Sequence, residues 1–329
     1  MAEERWDAVE ISRYTWLAWL LGGTEPRVLT APERGNCTVV VTAERAVVVA
    51  NNIEAPRLRA EEIGALPLEW AIYDWWEAPP AVVAAGSRVA TEIPVRLRLT
   101  LCGAEIARAV ELGRQAAEAL EAAARSLRPG LAEHQIAARM AEQALNRGLV
   151  PVGLFVAADE RGKQFRHPIP TSKIAHRNAI LSLVARRGGL HVSLTRTFSF
   201  GPACEEMLRR HLAAAQVHAA ILAASRPGAT LGAMLATAQR SYGEQGFADE
   251  WQHHHQGGLA GYEPREVRAT PGSTHLLEAG QLVAWNPTIR GAKSEETALV
   301  TAAGPRILTR TDGWPLIEGP IPLAAIGVV

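Results

Sequence analysis

Three consecutive histidines, His253, His254 and His255, are the densest run of reactive side chains in a chain that holds 10 histidines. They open the segment Trp251–Glu266, which continues through Gly257-Gly258, Tyr262 and Arg265. Imidazole titrates nearest to neutral pH and is a common metal ligand, so such a tract suits proton transfer or metal binding. Read as a strand, the segment sends successive side chains to opposite faces, so His253 and His255 are the pair that can converge. The Gly-Gly step lets backbone approach a ligand closely. The competing reading is three histidines satisfied within a packed strand. His167 stands in Phe165-Arg166-His167-Pro168, just ahead of two strand-like runs joined by a tight Arg187-Gly188-Gly189 turn. That hairpin carries Ser182 and Ser193, then Thr195-Arg196. A neutral serine hydroxyl is a poor ligand for manganese, cobalt or zinc without carboxylates or imidazoles beside it. Arg196 is expected to pair with an acidic group under the sheet, with a substrate contact as the alternative. Further on come Ala284-Trp285-Asn286-Pro287 and Lys293-Ser294-Glu295-Glu296-Thr297. Asp159 and Glu160, ahead of the hairpin, are further acidic groups that could serve as metal ligands.

The elements that must position these groups can be read from pattern. Ala104–Leu127 is an alanine-rich amphipathic helix ended by Arg128-Pro129-Gly130, and a second helix over about Ala132–Asn146 closes at Gly148. The phrase recurs with a helix from Glu205, Arg226-Pro227-Gly228, another helix and Gly246; both landmarks are shifted by the same 98 residues. Two copies of such a unit mean two homologous half-domains rather than a solenoid. Nearer the N-terminus, Cys37–Thr42 and Arg45–Ala50 flank Ala43-Glu44 and read as a β-hairpin, and Glu54–Leu66 has helical spacing. Trp6, Trp16, Trp19, Trp70, Trp75 and Trp76 lie in this part and are expected in a core or an interface.

Composition bounds the function. The 329 residues suffice for one large or two ordinary domains, with 48% apolar and 21% charged residues as in a soluble enzyme. The formal net charge is +0, which gives no global basic field for nucleic acid. Arginine carries nearly all the positive charge, since Lys163, Lys173 and Lys293 are the lysines. Three scattered cysteines, Cys37, Cys102 and Cys204, fit a reducing cytosol rather than a disulfide framework or thiolate metal site. The apolar patch Tyr14–Leu21 is too short to span a bilayer, and its acidic lead of Glu3, Glu4, Asp7 and Glu10 is wrong for a signal peptide.

In order and spacing, the segments from His167-Pro168-Ile169-Pro170-Thr171 to Lys293–Thr297 resemble the pita-bread superfamily of aminopeptidase P, prolidase, methionine aminopeptidase and creatinase. The resemblance is good over roughly residues 104–310 and weak before that. It implies an α+β fold, in which a pita-bread domain of two pseudo-symmetric halves (101–329) follows a shortened creatinase N-terminal-like α/β domain with its linker (1–100). Most members set two Asp, one His and two Glu around a pair of divalent metals. The matching positions here are Ser182, Ser193, His255, Asn286 and Glu295, so Ser182, Ser193 and Asn286 are vacated ligand positions and no metal is expected. Tyr262 falls where many peptidases keep a second histidine that stabilises the tetrahedral intermediate. His167 falls in the region where creatinase, which cleaves a C–N bond without metal, uses a histidine as proton carrier.

On this resemblance, His167 is the expected general acid/base, with Glu295 opposite it holding its charged form. His255 and Glu295 orient the substrate, while His254 and Arg265 bind a carboxylate; Tyr262 and Arg196 complete the substrate-side candidates. The leading expectation is a metal-independent hydrolase of a C–N bond in a small amide, amidine or amino-acid derivative. The alternatives are a divergent Xaa-Pro aminopeptidase using manganese, cobalt or zinc, and a catalytically inert pita-bread protein that binds a peptide or partner. A small-molecule or short-peptide substrate, a homodimer, a cytoplasmic location, and no nucleic-acid or membrane partner are expected with the first.

Overall fold

The chain divides between Arg98 and Leu99 into two units in this computed structural model, which describes residues 6–328. Glu3 and Glu4 of the acidic lead lie outside the described residues. In the first unit, β1 (Ala8–Arg13) runs into the short helix α1 (Tyr14–Leu20). The valine-rich runs form β2 (Arg34–Val41) and β3 (Ala46–Asn51), paired antiparallel from Thr38↔Val49 to Val41↔Ala46. A helical segment, α2 (Ala55–Arg57) continued as a π-helical turn over Leu58–Ile63, leads to β4 (Glu69–Tyr73), and β5 (Val89–Ala90) closes a sheet ordered β4-β3-β2-β1-β5. Its core joins Ile11, Trp16, Leu17, Val39, Val48, Leu58 and Ile63. Of the tryptophans expected in a core or an interface, Trp16 lies in this core with Trp19 and Trp70 packed against it, whereas Trp6, Trp75 and Trp76 are outside the core of this chain, 47%, 61% and 63% exposed. Trp75 and Trp76 lie beyond the end of an edge strand and pack edge-to-face on each other, with ring centroids 5.6 Å apart.

The second unit repeats one plan. Helix α3 (Gly103–Arg125) buries Ala109, Leu112, Ala116, Leu120 and Ala123. Its small residues allow close approach; a Cβ at Gly113 would stand 2.6 Å from the Leu308 carbonyl oxygen. After α4 (Glu133–Leu145) come β6 (Val150–Ala158), the short helix α5 (Arg161–Gln164) and the hairpin β7 (Asn178–Arg187) and β8 (Leu190–Ser199). The second half starts again with α6 (Glu205–Ala224) and α7 (Leu231–Glu244), followed by β9 (Gly257–Ala260), β10 (Val267–Arg268), β11 (Leu282–Trp285), β12 (Thr288–Ile289), β13 (Ala292–Lys293), β14 (Glu296–Thr301) and β15 (Gly304–Ile307).

The sequence repeat is a structural repeat. Gly130 and Gly228 both have positive φ (95° and 87°), and their amides donate to Ala175 and Leu277 carbonyls. Isolated bridges Ala132↔Ile174 and Thr230↔Leu276 follow at equivalent places. In each half a loop therefore leaves one strand, is tied back to the start of the second helix, and returns as an antiparallel neighbour: residues 159–177 between β6 and β7, and 261–281 between β9 and β11. The short strands β16 (Leu316–Ile317), β17 (Leu323–Ala324) and β18 (Gly327–Val328) end the described chain, and β18 pairs with β8. The two sheets, β18-β8-β7-β6 and β10-β9-β11-β14-β15, are joined at β8, where the Thr195 amide donates to the Glu295 carbonyl at 3.0 Å. Among the described residues no helix is long and apolar enough to cross a membrane.

Candidate active site

The junction of the two sheets collects the polar side chains. On the β7–β8 hairpin Ser182 pairs with Thr195 and Val184 with Ser193, so both serines and Thr195 share one face. Glu295 lies opposite, between β13 and β14, and Asn286 lies between β11 and β12. His167 comes from the 159–177 loop, which the buried Glu133 carboxylate helps to hold in place. Glu133 pairs with Arg161 and accepts hydrogen bonds from the Thr171 hydroxyl (2.8 Å), the Thr171 amide (3.0 Å) and the Ala158 amide (2.9 Å).

Two protein cations organise the floor of this site. The Lys293 ammonium donates to Glu295 Oε2 at 2.7 Å and to Ser182 Oγ at 3.1 Å. The Arg265 guanidinium donates to Glu295 Oε1 at 3.2 Å, Asn286 Oδ1 at 3.1 Å and Ser193 Oγ at 3.2 Å. Thr195 gives its hydroxyl hydrogen to Glu295 Oε2 (2.8 Å), so Ser182, 2.7 Å away, must donate to Thr195 and accept from Lys293. Burial works to raise the Glu295 carboxyl, yet Lys293, Arg265 and the hydrogen bonds from Lys293 and Thr195 bring it down to about 2. The expectation that Glu295 keeps His167 charged is thereby corrected, because its charge is committed to two cations. His167 is pushed below the ordinary imidazole value, by burial first and then by Lys293, and the opposing pull of Glu295 does not reverse this.

The histidine tract does not form a strand. A 3₁₀ turn, Glu250–His253, ends with His253 exposed; His254 is extended (φ −157°, ψ 141°), and β9 begins only at Gly257. Alternation therefore fails as a guide, and the expected pair His253 and His255 is replaced by His254 and His255, which meet His167. Their ring centroids lie 4.7 Å apart for His254–His255, 4.8 Å for His167–His254 and 5.9 Å for His167–His255. The Thr288 hydroxyl donates to the Asn286 carbonyl at 3.0 Å, so it accepts from His254 Nδ1 at 2.9 Å. The His254 lone pair is thus on Nε2, which faces His167 Nε2 at 3.2 Å. Burial first, then Lys293 and the neighbouring rings, push His254 down to about 2; burial, then Arg265, push His255 down to about 4. All three rings are therefore neutral at pH 7.

Several expected site residues sit elsewhere. Arg196 is 1% exposed and binds Glu121 (3.1 Å), Glu296 (2.8 Å) and the carbonyls of Thr195 and Thr309, so the substrate alternative gives way to the structural one. Tyr262 is fully buried; its hydroxyl donates to Glu105 at 2.6 Å and accepts from Arg108 at 3.0 Å, which ties it to α3 rather than to a substrate. Gly257 and Gly258 serve strand packing instead of ligand approach: a Cβ at either would stand 2.0 Å from the carbonyl of Ala284 or Val267. Asp159 accepts from the amides of His176, Arg177 and Asn178, and Glu160 pairs with Lys173 and Arg177, so neither reaches the histidines. The residue that sequence reasoning missed is Lys293. Its signal was available, since it is one of three lysines and stands two positions before Glu295, on the same side of an extended chain.

The sequence profile of metallopeptidase family M24 matches residues 107–302. No curated protein matches the chain. Among solved structures, the X-Pro aminopeptidase from Thermotoga maritima MSB8 superposes with a TM-score of 0.77 at 16% identity, covering 100% of this chain and 97% of that one. The prolidase from Pyrococcus furiosus gives 0.76 at 19% identity over 93% and 97%. The N-terminal domain of FACT complex subunit SPT16 from Cicer arietinum gives 0.68 at 12% identity over 93% and 91%. At these identities the superpositions establish the pita-bread fold.

Proposed function

The chain belongs to metallopeptidase family M24, and we propose that it hydrolyses a C–N bond in a small amide, amidine or amino-acid derivative by imidazole chemistry, without a metal pair. The observation that carries this reading is the way Lys293 and Arg265 together hold Ser182, Ser193, Asn286 and Glu295. These are four of the five positions that sequence resemblance assigns to metal ligands. The donor chemistry does not fit a carboxylate-bridged pair of dications. The set contains one carboxylate, that carboxylate is already shared between an ammonium and a guanidinium whose combined charge exceeds its own, and two dications placed there would be repelled by both.

Neutral imidazoles facing fixed cations suit a hydrolysis driven by general acid–base catalysis. A water between the rings gives a proton to an unprotonated imidazole nitrogen as its oxygen bonds to the carbonyl or amidine carbon. Charge developing on the substrate is met by Lys293, which among the described residues has one N–H donor left after serving Glu295 and Ser182. The imidazolium then returns the proton to the leaving nitrogen as the C–N bond breaks. His167, the most exposed of the three rings, is the acid/base, His255 orients the substrate, and His254 holds the His167 ring.

The test is turnover by the full chain in excess chelator, against a panel of N-acyl amino acids, short amidines and Xaa-Pro dipeptides, with amine release read by mass spectrometry. Turnover that survives chelator and disappears in His167→Ala supports the reading. Turnover that vanishes in chelator and returns with manganese or cobalt overturns it.

A further inference from the structure

Beyond that reaction, the structure offers a second use for the same rings. We propose that His167, His254 and His255 form a mononuclear site for a borderline transition-metal dication of the zinc, copper or nickel type, with an anion completing the coordination. This is not the carboxylate-bridged pair that the family implies: it shares one position with that pair, His255, and uses none of its carboxylates.

The geometry is close to what such an ion requires. Zinc binds imidazole nitrogen at roughly 2.0–2.1 Å, which sets tetrahedral ligand atoms roughly 3.3 Å apart. His254 Nε2 and His167 Nε2 already stand 3.2 Å apart, and one nitrogen from each of the three rings falls within 4.8 Å of the others. The Thr288 hydroxyl fixes the His254 tautomer and leaves the Nε2 lone pair directed into the cluster, as the outer hydrogen bond of a metal-bound histidine does. His255 Nδ1 is buried without a hydrogen-bond partner among the described residues. Such an orphaned nitrogen is a group that an absent ligand would satisfy. In the free protein the His167 ring donates its Nε2 hydrogen to His254; on metal binding that hydrogen moves to Nδ1, so no charge need be created on the ring.

The adjacent cations do not exclude this ion as they exclude a dinuclear centre. Lys293 and Arg265 are paired with Glu295, and the three rings themselves bring no positive charge. Lys293 and Arg265 exceed the single charge of Glu295 by one, and Arg268, exposed on β10 beside Gly258, adds another, so the surroundings are net positive and favour hydroxide, chloride or a substrate carboxylate as the fourth ligand. A site of this kind opposes the reaction proposed above, because the metal takes the lone pairs that would accept a proton. That inhibitory consequence rests on the preceding functional reading; the binding does not.

The experiment is calorimetric titration of chelator-treated, desalted full-length protein with zinc sulfate, alongside visible spectroscopy with cobalt chloride. The expected result is one equivalent of zinc per chain, cobalt bands of a tetrahedral nitrogen-bound ion, and tighter binding when chloride is raised at constant ionic strength. Thr288→Val should weaken binding by about 10-fold to 100-fold, the range for loss of a ligand's outer hydrogen bond, without unfolding the site. His254→Ala and His255→Ala should weaken it further, and His253→Ala should leave it unchanged. Absence of saturable zinc binding, an octahedral cobalt spectrum, or affinity unaltered in both His254→Ala and Thr288→Val would overturn the proposal. None of these readouts needs turnover, so a protein without hydrolytic activity still decides it. Where turnover exists, zinc should abolish it and chelator restore it.

Discussion

Replacing Lys293 by methionine tests the electrostatic core of the site directly. The substitution keeps an unbranched side chain of similar length but leaves Glu295, 5% exposed, with Arg265 as its one cationic partner among the described residues. In the intact site the carboxyl is held at about 2 rather than 4.5 although burial opposes it. A shift of that size corresponds to roughly 3 kcal/mol of net stabilisation of the ionised form. Removing one partner of a buried ion pair typically destabilises by about 3–5 kcal/mol, so Lys293→Met should lower the unfolding free energy by about 3 kcal/mol at pH 7. Urea unfolding followed by far-ultraviolet circular dichroism measures this. The double variant Lys293→Met/Glu295→Gln should recover much of the loss, with a coupling of about 2 kcal/mol in the cycle. The sign with pH is fixed as well. Because the folded carboxyl lies below its unfolded value, its contribution is present above pH 4.5 and is lost as pH falls toward 2, so wild type and variant should converge in acid. A loss under about 1 kcal/mol at pH 7, or a purely additive double variant, would show that Lys293 does not carry the Glu295 charge.

Other outcomes follow from the same geometry. One guanidinium, Arg196, serves both Glu121 and Glu296, and burial raises the Glu296 carboxyl to about 7 despite Arg196 and Thr309. Its contribution is full below pH 4.5 and is lost as pH rises through 7, so Glu296→Gln should remove about 3 kcal/mol of the wild-type fall in stability between pH 5 and pH 8 in urea titrations. His167→Ala should lower kcat by about 100-fold to 10,000-fold on whichever substrate is turned over. In wild type the acid limb of the pH–rate profile should lie below the ordinary imidazole value of 6.5, since burial and Lys293 depress His167. Gly257→Ala should yield little folded protein in a solubility assay, because its Cβ would stand 2.0 Å from the Ala284 carbonyl oxygen at a φ of 111°.

What was legible in the sequence was what depends on neighbours along the chain. The β2–β3 hairpin, helices α3 and α4, and the duplicated Arg-Pro-Gly landmarks follow from β-branched runs, a helical period and glycines at positive φ, all local signals. His167, His255 and Glu295 were found through motif order, and the structure brings them into one neighbourhood. What was illegible depends on partners distant in sequence. Nothing local to Lys293 says that it will reach Ser182, and nothing near Arg265 says that it will reach Ser193 and Asn286. The choice between His253 and His254 failed for a different reason. A single 3₁₀ turn changes the facing of every residue it contains, and period-two reasoning has no way to see it.

The paired loops of the duplicated unit divide the labour of the cleft. The 159–177 loop delivers an imidazole, and its counterpart, 261–281, delivers Arg265 and Arg268 from the equivalent position in the other half. On the proposed function, proton handling and charge selection therefore fall on separate, independently tethered segments. On that reading, exchanging the second loop should retune which anionic molecules are admitted while leaving the imidazoles in register, a modularity that follows from the repeated unit.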